Sequence, residues 1–254
     1  MDIEVLGCHG EERSGFFTPS LLLDGHVLLE AGSFACALAF RRQVAVDHIL
    51  VSHAHHDHLR DLPAFADLII GHRRRPVVVH ASQGAMDILR RDLFNNRLWP
   101  DFFSLPSPEA PILVGRVFGP HSAFGVGGLR VRAIPVNHPG EAVGFLVRGG
   151  RGSFLYSGDT GPTQALWLAA NRVRDLRLAL VETKFPNDLQ MVADAAGHLT
   201  PRTLERELGK LRAQDLPVAL YHVKPDRFAE VRREVRALGR PRVRFLEIGD
   251  RFRL

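Results

Sequence analysis

Val51-Ser52-His53-Ala54-His55-His56-Asp57-His58 places four histidines and one aspartate within positions 53–58, directly after an apolar run. Neutral imidazoles and carboxylates bind zinc-like divalent ions, and two ions about 3.5 to 4 Å apart need roughly six or seven protein ligands, at least one of them a bridging carboxylate. The cluster supplies at most four of these. In an extended loop, residues two apart point to the same side, so His53 and His55 can grip one ion together. Asp57 and His58, at the start of the following helix, are displaced toward a second ion. His56 falls out of phase and reads as a supporting or structural histidine.

Working outward, Ile3 to Leu6, Ser20 to Leu23 and Val27 to Glu30 read as strands, with Asp24-Gly25 as a hairpin turn. His48 to Ser52 is another strand. The spacing of Leu59, Leu62, Phe65, Ala66 and Ile69 predicts a helix over Leu59 to Ile70. A strand at Pro76 to His80 and a helix over Ser82 to Leu93, with Ser82 as N-cap, complete one α/β unit. Trp99 to Pro111 reads as an ordered loop. Strands follow at Ile112 to Phe118, Leu129 to Val136, Val143 to Val147, Ser153 to Ser157 and Arg177 to Val181. A helix begins at Thr200-Pro201, a strand covers Pro217 to Tyr221, and a helix covers Asp226 to Leu238. No low-complexity linker interrupts the chain. Each half carries strands and then α/β units, which predicts an α/β protein of two packed sheets with helices outside.

The missing ligands should lie on loops just after strands. His138 in Pro135-Val136-Asn137-His138, Asp159 in Ser157-Gly158-Asp159-Thr160, and His222 after Tyr221 all satisfy that condition. Taken singly, each is as easily a surface histidine or a turn residue. Their shared position at strand ends joins them to the cluster.

The bulk composition narrows the class. A chain of 254 residues with 45% hydrophobic residues can bury a substantial core. Cys8 and Cys36 are too few for a disulfide framework, which fits a reducing compartment and a cytoplasmic location. No segment approaches the roughly 18 apolar residues of a membrane span. The net charge of +5 favours an anionic partner, yet all the basic residues but Lys184, Lys210 and Lys224 are arginine, a skew that codon composition also produces.

The HxHxDH motif at His53 to His58, followed in order by His138, Asp159 and His222, resembles the metallo-β-lactamase superfamily across nearly the whole chain. The resemblance implies one αββα sandwich domain over residues 1–254. It also implies two divalent metal ions, zinc or else Mn or Fe. By resemblance, His53, His55 and His138 hold one ion, Asp57, His58 and His222 hold the other, and Asp159 bridges both. Glu30-Ala31-Gly32 stands where many members carry Asp-x-Gly, a departure affecting support of the ligands more than ligation.

Glu182 in Val181-Glu182-Thr183, and His198 in Gly197-His198-Leu199-Thr200, resemble the glutamate and the His-x-Thr motif of the phosphodiesterase branch that includes ribonuclease Z. In that branch the histidine donates a proton to the leaving oxygen and the glutamate orients it. An alkoxide leaves poorly until protonated, and a histidine near pKa 6.5 supplies that proton at neutral pH. The alternative reading of His198 is the plain start of a helix.

Ribonuclease Z members generally insert a long arm and carry a Pro-x-Lys-x loop near the N-terminus, and this chain shows neither. Segments around Asn95, Trp99 and Phe102, Phe185 to Gln190, and Tyr221 to Pro225 resemble instead the bacterial class II cyclic nucleotide phosphodiesterases of this fold. That resemblance implies hydrolysis of a 3',5'-cyclic nucleotide, cAMP or cGMP, to the 5'-monophosphate by a metal-bridging hydroxide that Asp57 orients. Thr200 and Lys224 are then candidate phosphate contacts, Trp99 and Phe102 candidate base-stacking rings, and Asn95 a further candidate contact. A homodimer is expected by the same resemblance. Two other readings stay open: tRNA 3'-end cleavage, with RNA as partner, and a metal-stabilised nucleic-acid-binding module without turnover.

Overall fold

The computed structural model describes residues 1–254. The first sheet is formed by β1 (Asp2–Gly7), β2 (Ser20–Leu23), β3 (Val27–Leu29), β4 (His48–Leu50), β5 (Val77–Ala81) and β6 (Leu113–Val117). The second runs through β7 (Ala123–Val126), β8 (Leu129–Pro135), β9 (Val143–Gly149), β10 (Gly152–Tyr156), β11 (Leu176–Glu182), β12 (Val218–Tyr221) and β13 (Val243–Phe245). The last strand, β14 (Arg251–Arg253), returns to the first sheet and pairs antiparallel with β1. Each sheet is antiparallel in its first strands and parallel in its last, the change falling at β3/β4 and at β10/β11.

Alternation along the strands separates three apolar layers, because successive side chains point to opposite faces. Leu21, Leu23, Val27, Leu29 and Leu50 meet Phe145, Val147, Phe154, Leu178 and Leu180 between the sheets. Leu22, Leu28, Ile49 and Val51 point the other way, onto Phe34, Leu62, Phe65 and Ala66. Ala179, Val181, Val218 and Leu220 pack outward against Leu166, Trp167, Leu204 and Val231 of the helices over the second sheet. Helices therefore cover both outer faces, the αββα arrangement expected from the sequence.

Two elements differ from the sequence reading in ways that matter for the site. The helix expected over Leu59 to Ile70 is two pieces, His56–Leu59 and Leu62–Leu68. Asp61 causes the break: its carboxylate accepts the backbone N–H groups of Phe34 and Ala35 at 2.8 and 2.7 Å, so the residue is tied to another loop. The helix from Ser82 passes into a wider turn at Leu89–Leu93, and its cap is as expected, Ser82 Oγ accepting from Ala85 N–H. Short helices at Phe40–Val44, Ala165–Ala170 and Gln190–Ala196 and the strands β7, β13 and β14 were not expected from the sequence.

Candidate metal centre

The C-terminal ends of β4, β8, β10, β11 and β12 lead to His53, His138, Asp159, Glu182 and His222 in turn. Strand ends on the same edge of two packed sheets bring residues distant in sequence into one place. His138 Nε2 stands 3.1 Å from His55 Nδ1, and the ring of His53 lies 4.5 and 4.8 Å from those of His55 and His138. On the other side, His222 Nε2 is 3.0 Å from Asp57 Oδ2, and His58 Nε2 is 3.9 Å from that oxygen. Asp159 lies between the groups: its Oδ2 is 3.3 Å from His222, 3.4 Å from His58 and 3.8 Å from His53.

Four of these residues are held from behind. His53 Nδ1 meets Ser52 Oγ at 3.0 Å, and His138 Nδ1 meets the Gly197 carbonyl at 2.9 Å. Glu30 is fully buried, and its Oε2 lies 3.4 Å from His58 Nδ1. The backbone of Glu30 has a φ of +65°, outside the region most side chains prefer, and its carboxylate also accepts from Ser52 N–H at 3.3 Å. His222 has a φ of +70° and donates its N–H to the Cys8 carbonyl at 2.7 Å, so a strained residue is fixed by the first sheet. At Gly32 a Cβ would collide with the carbonyl of Asp57, which explains why glycine stands there.

The chemistry of the donors fits divalent metal ions. His53 Nε2, His58 Nε2 and both carboxylate oxygens of Asp159 are buried with no hydrogen-bond partner. Leaving so many polar atoms unsatisfied at one point costs free energy that a coordinated cation removes. A tetrahedron with bonds of about 2.0 to 2.1 Å has edges of about 3.3 Å. The separations of His222 from Asp57 and Asp159, 3.0 and 3.3 Å, and of His58 from Asp159, 3.4 Å, are of that size, and the His58–Asp57 edge is longer at 3.9 Å. Burial lowers the pKa of His53, of His55, of His138 and of His222, which favours the neutral ring a metal requires. Burial opposes the charge on Asp159, but His222 and His58 outweigh it and hold the carboxyl well below the usual carboxylate range.

Beside this group, His198 Nδ1 lies 2.8 Å from Glu182 Oε1. Glu182 is itself fixed, accepting from Thr160 N–H at 3.0 Å and Leu199 N–H at 3.4 Å. The His198 ring is 4.9 Å from His138 and 5.5 Å from His222, so its Nε2 edge is adjacent to the donors. Burial raises the Glu182 carboxyl to about 8 and lowers His198 to about 4. Between those values the pair retains one proton.

The remaining expected residues are elsewhere. Phe102 is in the core against Phe94 and cannot stack on a ligand. Thr200 is fully buried, and its hydroxyl donates to Gln190 Oε1 at 2.7 Å while capping the helix Pro201–Leu208. Asn95 closes its own loop, its side-chain oxygen accepting from Arg97 and Leu98. In this structure Phe102 and Thr200 are thus buried away from solvent, and half-buried Asn95 is engaged within its loop. Trp99 is exposed on that same loop, and Lys224 is 3.4 Å from Glu11. His56 turns to solvent, away from the supporting position expected of it. The sequence reading missed Ser52, Cys8 and the Gly197 carbonyl, because contacts through a short hydroxyl or the backbone leave no residue-type signal.

The profile of the beta-lactamase superfamily domain matches residues 28–222. The chain belongs to the metallo-β-lactamase superfamily. A probable 3',5'-cyclic-nucleotide phosphodiesterase of Yersinia pestis is 30% identical over 207 residues, covering 71% of this superfamily member but only 58% of that protein's length. Unliganded yeast PDE1 superposes with a TM-score of 0.80 at 16% identity, over 97% of each chain. Human tRNase Z, short form, gives 0.73 at 15% identity, over 100% of this chain and 99% of the other. At such identities the two structures speak for the superfamily fold alone.

Proposed function

We propose that the protein is a dinuclear metal-dependent phosphodiesterase that hydrolyses a 3',5'-cyclic mononucleotide to the 5'-monophosphate. His53, His55 and His138 would hold one ion, Asp57, His58 and His222 the other, and Asp159 both. When bound, two divalent ions supply charge for the phosphate oxygens and acidify the attacking water. The observation that carries the reading is the buried Glu182–His198 contact beside the donors. A site serving only to stabilise the fold has no use for an oriented proton donor.

The chain's own residues orient the attacking water and protonate the leaving oxygen. Asp57, whose carboxyl stays ionised against burial, orients the attacking water as a hydrogen-bond acceptor, and that water's proton passes to solvent. Oxygen from that water bonds to phosphorus as the bond from phosphorus to the ribose 3' oxygen breaks. His198 Nε2 gives the departing oxygen its proton, and Glu182 passes its own proton to Nδ1, so the ring never carries the deficit. Support also comes from the name of the Yersinia pestis relative.

The test is product analysis with metal-loaded protein and cAMP or cGMP, with Asp159→Ala and His198→Ala alongside. Nucleoside 5'-monophosphate from the unmodified protein, lost in both variants, is the expected result. Unchanged turnover in the variants rejects the assignment. Cleavage of precursor tRNA in place of the cyclic nucleotides would move the substrate to the other reading.

A further inference from the structure

A recess of about 450 Å³ opens on the helix side of the second sheet, where the helix Ala165–Ala170 stops short of covering β8 and β9. Val131, Ala133, Phe145 and Val147 point into the core between the sheets, so Arg130, Arg132 and Arg148 point the other way, into this recess. Arg172 and Arg174, just after that helix, close its far wall. Asp175 is the one acid in the lining, and Arg148 occupies it at 3.0 Å. Arg130, Arg132, Arg172 and Arg174 have no carboxylate within ion-pair distance.

The register makes the arrangement more costly than its composition alone. Arg130 stands directly opposite Arg148 in the β8/β9 ladder, and like charges so placed destabilise a sheet pair. Five guanidiniums facing one carboxylate are stabilised by an external anion. The five sit on two strands and a loop, so their charge is distributed over several elements, which suits a chain of phosphates better than one compact anion. Guanidinium groups take phosphate oxygens in bidentate fashion. No aromatic ring lines the recess, so bases have nothing to stack on and contacts fall on the backbone. A concave recess cups a strand, whereas a lipid surface meets a projecting face.

We propose that this recess is a binding surface for a single-stranded nucleic acid, held through its phosphates without sequence preference. It lies at the opposite end of β8 from His138, separate from the metal centre.

The experiment is anisotropy of a labelled oligonucleotide of about 20 nucleotides with the full-length, metal-loaded protein, from about 50 to 200 mM salt. Arg130→Gln/Arg132→Gln/Arg174→Gln is compared with the charge-matched Arg232→Gln/Arg233→Gln/Arg236→Gln on the exposed face of the helix Phe228–Ala237. The recess variant should bind at least tenfold more weakly, with a salt slope shallower by about 2, given about 0.7 per phosphate contact. The control should stay within about twofold. Lysine at the three recess positions should restore the slope, which separates lost charge from misfolding. Equal weakening in both variants, no binding by the unmodified protein at low salt, or uptake of phosphatidylglycerol vesicles in place of the oligonucleotide would overturn the proposal.

Discussion

Glu182 Oε1 lies 2.8 Å from His198 Nδ1, inside a pocket that leaves only the Nε2 edge of the imidazole toward the metal ligands. The protonated Glu182 carboxyl donates to Nδ1 and so fixes the tautomer in which Nε2 carries the proton that can be given away. Under the proposed function, that single relationship would distinguish a hydrolytic centre with a built-in acid from a simple cation site.

If His198 donates a proton and does not ligate, removing it should spare the metal. His198→Ala is expected to retain its metal content by elemental analysis while kcat falls about 10²- to 10⁴-fold, the usual range for a general acid. Glu182→Gln should lose less, because the ring keeps its place but not its proton source. A loss of metal in His198→Ala would make it a ligand.

Asp159 borders both donor groups, with His222 at 3.3 Å and His58 at 3.4 Å on one side and His53 at 3.8 Å on the other. Asp159→Ala should therefore lose most bound metal. Chelation of the unmodified protein should lower its melting temperature, since a ligand present at a hundred times its Kd stabilises by about 2.7 kcal/mol. A melting temperature indifferent to chelator would contradict the assignment of these residues as ligands.

The loop correction separates two aromatic residues by their effects. Phe102→Ala should destabilise the fold by about 3 to 5 kcal/mol, measured by denaturant titration, because it empties a core position beside Phe94. Trp99→Ala, at a site 37% exposed, should cost clearly less than Phe102→Ala. Any effect of Trp99 on catalysis would then be read in KM, with a smaller folding contribution.

Away from the metal centre, His80 Nε2 faces His48 Nδ1 at 3.3 Å, and burial, with His48 and Arg116 adding to it, lowers His80 to about 4. The folded state prefers the neutral ring, so the unfolded chain binds the extra proton first. The stabilisation is complete above about pH 6.5 and is lost as pH falls toward 4, a change of at most about 3 kcal/mol. Urea titrations across that window should show the fall, and His80→Asn should flatten it.

Much of the site was legible because metal chemistry needs particular residue types at particular spacings. His53 and His55 are two apart, and His138, Asp159 and His222 each follow an apolar strand. The layers were legible because Leu21 to Leu23, Val27 to Leu29 and His48 to Val51 are short apolar runs that suit strands buried on both faces. What stayed hidden depended on tertiary contacts. The break at Asp61 follows from two backbone N–H groups of a distant loop, and no local pattern reports that. Phe102 and Trp99 share one loop, yet Asn96 Oδ1 accepts from Asp101 N–H at 2.9 Å and folds the loop so that only Phe102 turns inward. Arg251–Arg253 alternates charge with one aromatic, which does not distinguish an edge strand from a tail.

The most direct measurement is steady-state hydrolysis of cAMP and cGMP by the metal-loaded protein and by His198→Ala brought to the same metal content. The account predicts nucleoside 5'-monophosphate from the unmodified protein and at least a hundredfold slower formation by the variant. Equal rates from the two, or no product from either, would contradict it.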